Sequence, residues 1–196
     1  METWHSGRLL VASPSLDDPN FERAVLLILD HDEDGALGVV LNRASGVLVR
    51  DSLDDWSHLA AEPPVVFGGG PVEPTAVVAL GHAIPGAPLD PASDPDAAIG
   101  GDGGTRILDR IRLVDLESDP ILAAGELHRV RVFAGYAGWA PDQLEDEIAA
   151  GAWFVVEADA DDVFTDHPAG LWHAVMRRQQ GPLKLLATYP EDPSTN

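Results

Sequence analysis

No cysteine occurs anywhere in the chain. Disulfides, thiolate zinc sites, iron–sulfur clusters and cysteine nucleophiles are therefore excluded. Positive charge is also scarce: 12 Lys and Arg stand against 33 Asp and Glu, a formal net charge of -21. Proteins bind nucleic acid largely by neutralising phosphates with Lys and Arg. Direct nucleic-acid contact is thus disfavoured, as is adsorption to an anionic membrane surface; the charge supplies solubility instead. Long hydrophobic runs are missing too. The longest, Ala24 to Leu29, falls far short of the roughly 20 residues that cross a bilayer. The start, Met1-Glu2-Thr3-Trp4-His5, has neither the basic nor the apolar segment of a signal peptide. The expectation is a cytoplasmic protein with no membrane partner.

Catalytic signatures are absent as well. No serine sits in G-x-S-x-G or S-x-x-K, and no H-E-x-x-H occurs among the seven histidines. Gly68-Gly69-Gly70 follows a strand but is not followed by Gly-Lys-Ser/Thr, so it is no P-loop. Its plain reading is a turn that lets backbones approach closely. Asp30, Asp32, Asp34 and Gly35 begin a calcium-loop pattern, but its twelfth position is Leu41 rather than a bidentate Glu. They read as a hairpin turn. His167 and His173, near Asp166, are a weak metal hint and read as surface polar groups. No catalytic residue, metal or cofactor is assigned.

What is present is a foldable chain of 196 residues, 45% hydrophobic, enough to bury one sizeable core. A single domain, 1–196, is expected, with a flexible Pro/Asp/Gly-rich loop near 85–104 and a short C-terminal tail. Gly7 to Ala12, Ala24 to Asp30 and Ala36 to Asn42 read as strands, the last two joined as a hairpin at Asp34-Gly35. Val65 to Phe67, Ala76 to Gly81, Ile107 to Leu116, Val130 to Ala134 and Trp153 to Glu157 also read as strands. Helices are expected at 51–61, 141–150 and 169–180, with a shorter one over 121–127. Gly135 to Trp139 reads as a turn, and 157–166 as an acidic loop. Strands outnumber helices without alternating with them, which argues for an α+β fold.

Two clusters carry the polar and aromatic groups of a recognition surface. Asn20, Glu22 and Arg23 precede the first central strand; Tyr136, Trp139, Gln143 and Glu145 surround the entry to a helix. The second cluster reads equally as a structural corner, with Trp139 packed and Glu145 capping. The strands at 24–30 and 130–134 are both strongly apolar, hence central. Antiparallel pairing between them would bring the two clusters together and place Arg23 beside Glu145.

D-P-N-F-E-R-A-V-L-L-I-L-D-H-D-E-D-G-A-L-G-V-V-L-N-R (Asp18 to Arg43), F-G-G-G-P-V (Phe67 to Val72), G-Y-A-G-W-A-P-D-Q-L-E-D-E-I (Gly135 to Ile148) and Trp153 occur in this order. In this the chain resembles the YqgE/AlgH family. The resemblance implies an antiparallel, partly folded-over β-sheet flanked by helices in a small cytosolic protein. It implies no catalytic residues. Members are often labelled transcriptional regulators, yet no helix-turn-helix is visible here. Between Pro85 and Leu116 the sequence departs from the family pattern. The reading is a non-enzymatic binding or regulatory protein acting through an unidentified protein or small-molecule partner. The alternatives are a regulator touching DNA directly, and an enzyme using Glu22, Arg23, Tyr136 or Glu145 as an unrecognised acid/base site.

Overall fold

The computed structural model describes residues 4–85, 106–108 and 110–188. The strands are β1 Arg8–Ala12, β2 Val25–Asp32, β3 Gly35–Val40, β4 Ala44–Leu48, β5 Val65–Gly68, β6 Val72–Ala83, β7 Arg106–Leu108, β8 Ile111–Leu113, β9 Leu127–Trp139 and β10 Trp153–Glu157. The helices are α1 Val49–Ser52, α2 Pro120–Ala123, α3 Gln143–Ala149, α4 Ala160–Val163, α5 Leu171–Arg178 and α6 Pro182–Leu186.

The main strand order is β10-β1-β2-β3-β9-β6-β8-β7, with β5 joined to β9 and β4 to β5. All pairings are antiparallel except β5 with β9. The chain is thus an open, folded-over antiparallel sheet flanked by helices. The fold-over centres on β9, which serves both halves. Its end pairs with β3 through Gly138 and Trp139, while its middle pairs with β5 through Phe133 and Ala134. At the switch sits Gly135, at φ +71, a conformation that glycine adopts without a Cβ clash. The Gly68-Gly69-Gly70 run lies against it: a Cβ on Gly69 would come 2.1 Å from the Gly135 carbonyl oxygen. These glycines let the backbones of the two segments pack closely, as a side chain at Gly69 or Gly70 would not.

The continuous apolar runs arise because the central strands are covered on both faces. Leu9, Val11, Val25, Leu27, Phe67, Leu80 and Phe133 point into the concave side, closed by Val163, Phe164, Trp172, Val175 and Met176. Leu10, Leu26, Ile28 and Val40 point the other way, against Leu144, Trp139 and Trp153. On the outside of the second half, Val130 and Val132 meet Trp56 and Leu59. Each such buried aliphatic side chain contributes about 2 kcal/mol.

Several expectations are corrected. The helix over 51–61 is a single α turn followed by a 3-10 helix, Asp54–Leu59. The strand over 107–116 is a hairpin of β7 and β8. Gly135 to Trp139 is not a turn but the end of β9, since the glycine bends the strand without breaking its pairing. The loop over 157–166 contains α4, capped by Asp159 and Asp162. Most consequentially, β2 and β9 do not pair: β3 lies between them. The loop expected near 85–104 lies, beyond Pro85, outside the described residues, as does the tail from 189.

Candidate functional site

The loop between β1 and β2 is built around Arg23. Its backbone is left-handed, at φ 50. The buried Asn42 enforces this. Asn42 Nδ2 donates to the Arg23 carbonyl at 2.8 Å, and Asn42 Oδ1 accepts from the Val25 N–H at 3.0 Å. The half-buried guanidinium lies over the Trp172 ring, 5.0 Å from its centroid, and 3.4 Å from His173 Nε2. The Trp172 indole is itself fixed, donating to the Ala12 carbonyl at 2.9 Å. Arg43 donates from Nη2 to the Glu22 carbonyl, and burial lowers the Arg43 pKa against the opposing pull of Glu22. Glu22 and Asn20 leave their side chains exposed. The corner therefore presents amide, carboxylate and guanidinium groups on a rigid loop. Sequence reasoning missed Asn42, Arg43, Trp172 and His173, whose separation from the loop along the chain hides their proximity.

The second cluster organises around a residue that sequence reasoning also missed, Glu147. Its Oε2 accepts from the indoles of Trp139, at 2.9 Å, and Trp153, at 2.7 Å, while Oε1 accepts from Gln143 Nε2 at 2.9 Å. Gln143 Oε1 in turn accepts the Ala140 N–H at 3.0 Å. Trp139 and Trp153 meet edge to face, 6.1 Å between ring centroids. Two half-apolar indoles are buried by giving both N–H groups one carboxylate. Tyr136 packs against the concave core. Glu145 does not reach Arg23. It pairs with His31 Nε2 at 2.8 Å, at the far end of β2 from Arg23, and the buried His31 accepts the His5 N–H on Nδ1 at 3.2 Å. Its ring also packs edge-on against that of Trp4. Of the seven residues named from sequence, Asn20, Glu22 and Arg23 thus lie before the start of β2 and Trp139, Gln143 and Glu145 at its far end, because β2 and β9 run in the same direction on either side of β3, while Tyr136 faces the concave core.

A third constellation was not foreseen. Across β6 and β9, His82 faces Arg129 and Leu80 faces Arg131. Arg129 Nε donates to His82 Nδ1 at 3.3 Å, and Arg129 Nη2 reaches Asp161 at 3.2 Å. The Phe164 ring stacks on His82 at 5.4 Å and carries the Arg129 guanidinium at 4.7 Å. Arg131, only 2% exposed, donates to the carbonyls of Thr165 and Glu62 and lies 4.2 Å over Phe67. Burial, then the neighbouring Arg129, brings the Arg131 pKa down to about 10, against the pull of Asp166. Burial also lowers the His82 pKa, helped by Arg129, Arg110 and His128 and opposed by Asp161. The sequence signal was the alternation R-V-R at Arg129 to Arg131, which puts both cations on one face.

The Asp30 to Gly35 tip is a two-residue hairpin, with Asp32 pairing Gly35 and Asp32 Oδ1 taking the Asp34 N–H at 2.9 Å. Among the described residues, no helix is long and apolar enough to cross a membrane.

Fold and site together define an α+β protein on a folded-over antiparallel sheet, with a rigid polar loop at one corner. The chain belongs to the AlgH-like family (DUF179), which matches residues 9–184. It is 55% identical over 192 residues to a UPF0301 protein of Streptomyces coelicolor, across 97% of this chain and 95% of the relative. A crystal structure of a Corynebacterium diphtheriae protein is similar with a TM-score of 0.85 at 35% identity, covering 96% of this chain and 94% of that one. The solution structure of AlgH from Pseudomonas aeruginosa is similar at 0.65 and 25% identity, covering 98% and 97%.

Proposed function

We propose that this is a non-enzymatic binding or regulatory protein of the cytosol, acting through protein or small-molecule contacts at the loop of Asn20, Glu22 and Arg23. The observation that carries the reading is Arg23 itself. A non-glycine residue in the left-handed region costs about 1 kcal/mol, and Asn42 holds Arg23 there. Backbone strain that the surroundings enforce is characteristic of sites shaped in advance for a partner. Recognition through a rigid arginine on an aromatic face also fits the chemistry of binding hot spots. At the second corner the polar groups are tied to one another: Glu145 to His31, and Gln143 and Trp139 to Glu147. These residues and Tyr136 act in this reading as the frame of the sheet. Regulation, where the protein exerts it, runs through such contacts rather than through DNA, because the net charge of -21 opposes approach to a polyanion.

The test compares native-lysate proteins retained by the immobilised wild type and by Arg23→Glu, after both are shown to melt alike. A set of proteins held by the wild type and lost with the variant is the expected result. Identical retention by both contradicts the reading. A gel shift with bare duplex DNA at about 50 to 200 mM salt is expected to show no sub-micromolar binding.

A further inference from the structure

Two buried side-chain polar atoms among the described residues lack any hydrogen-bond partner: His82 Nε2 and Arg131 Nε. They are neighbours. His82 opposes Arg129, two residues before Arg131 on the same strand, so the two side chains share one face as diagonal neighbours, about 7 to 8 Å apart at their bases. Both orphans are donors. Arg131 Nε always carries a proton. His82 Nδ1 accepts from Arg129 Nε at 3.3 Å, which leaves the ring proton on Nε2. Buried polar groups are satisfied in the great majority of cases, and here two unsatisfied groups of the same sense lie on one face of the sheet at diagonal positions.

The charge points the same way. In a chain of net charge -21, this face carries Arg129 and Arg131, with Arg110 near enough to His82 to depress its protonation. Among the described residues no carboxylate lies within ion-pair distance of Arg131. Only carbonyl oxygens receive it. The carboxylate that does reach the row is Asp161, 86% exposed and 3.2 Å from Arg129. Its segment closes the row: α4 is one short turn, and Phe164 stacks on both His82 and Arg129.

We propose that this face of β6 and β9 is a binding site for a small oxyanion, a carboxylate or a phosphate group, held by His82, Arg129 and Arg131. An oxyanion supplies the acceptors that the orphan donors lack, and the Arg129 guanidinium, once released by Asp161, offers further N–H donors to either group. Asp161 stands in for the ligand on Arg129, and the anion enters by displacing it as the 160–165 segment lifts. The site is separate from the Arg23 loop and does not rest on the reading given to that loop.

The probes are inorganic phosphate and acetate, titrated into the full chain at constant ionic strength and followed by the imidazole nitrogen signals of His82 and by the melting temperature. The expected result is saturable movement of His82 Nε2 with a rise in melting temperature. Response to phosphate alone assigns a phosphate ligand, and response to acetate alone a carboxylate. Arg129→Gln, at a half-buried position, should weaken binding about tenfold or more. Asp161→Asn, at an exposed position, should tighten it because the internal competitor is gone. No saturable shift with either anion, for wild type and Asp161→Asn alike, overturns the proposal. So does an unchanged affinity in Arg129→Gln.

Discussion

The side chain of Asn42 dictates the backbone of Arg23: one amide accepts the Val25 N–H and donates to the Arg23 carbonyl, at 3.0 and 2.8 Å. The segment just beyond β3 thereby sets the backbone of the loop that enters β2. Asn42→Ala leaves both backbone groups unpaired and is expected to destabilise the fold by about 1–3 kcal/mol. Arg23→Ala removes a partly exposed cation over an aromatic ring and is expected to cost less than about 1 kcal/mol. Urea denaturation of both variants checks the ordering. A larger loss for Arg23→Ala would make the arginine a structural element.

Glu147 is the hub of the α3 corner, since two indoles and one amide donate to it. Glu147→Ala strands both indole N–H groups and is expected to cost about 2–4 kcal/mol. Glu147→Gln keeps an acceptor and costs less. Gln143→Ala, at an exposed position, costs least. Near-ultraviolet circular dichroism with thermal melts reads both the packing of Trp139 and Trp153 and the stability order.

Stability should depend on pH through His82 and His5. Both are lowered from 6.5, first by burial. Around His82, the cations Arg129, Arg110 and His128 oppose its protonation and Asp161 favours it; around His5, His31 and Arg8 oppose and Glu145 favours. A depressed folded pKa means that the unfolded chain binds more protons below 6.5, so stability falls as pH drops from there toward the folded values. The wild type is expected to lose more stability than His82→Gln between about pH 7 and pH 5. Parallel losses would contradict the assignment to His82.

The sheet was legible where burial is two-sided. Val25 to Leu29 is a continuous apolar run because side chains on both faces find cover, and Val130, Val132 and Phe133 read as a strand although Arg131 interrupts the run. Legibility failed where a strand carries no such pattern. β4, A-S-G-V-L, is exposed almost throughout and has no hydrophobic period to read. It failed also at Gly135, whose flexibility suggests a turn, while here it lets one strand serve both halves of the sheet. Arg23 and its loop were legible as a polar cluster before a central strand. The expected meeting with Glu145 was not, because strand order is a long-range property and β3 intervenes. Asn42 and the His82 row escaped because their partners lie far away along the chain. Glu147 escaped although its partners Gln143, Trp139 and Trp153 are close in sequence, because the ends of two different strands must fold onto α3 before the indoles meet it.

The central claim is that the loop at Arg23 contacts a partner. Photo-crosslinking in living cells tests it most directly, with a photoreactive residue at the exposed Asn20 and, as control, at the exposed Glu117. The account predicts discrete adducts from position 20, absent from position 117 and lost when Arg23→Glu is added. Equal adduct patterns from both positions, or none from position 20 in a folded and abundant protein, would contradict it.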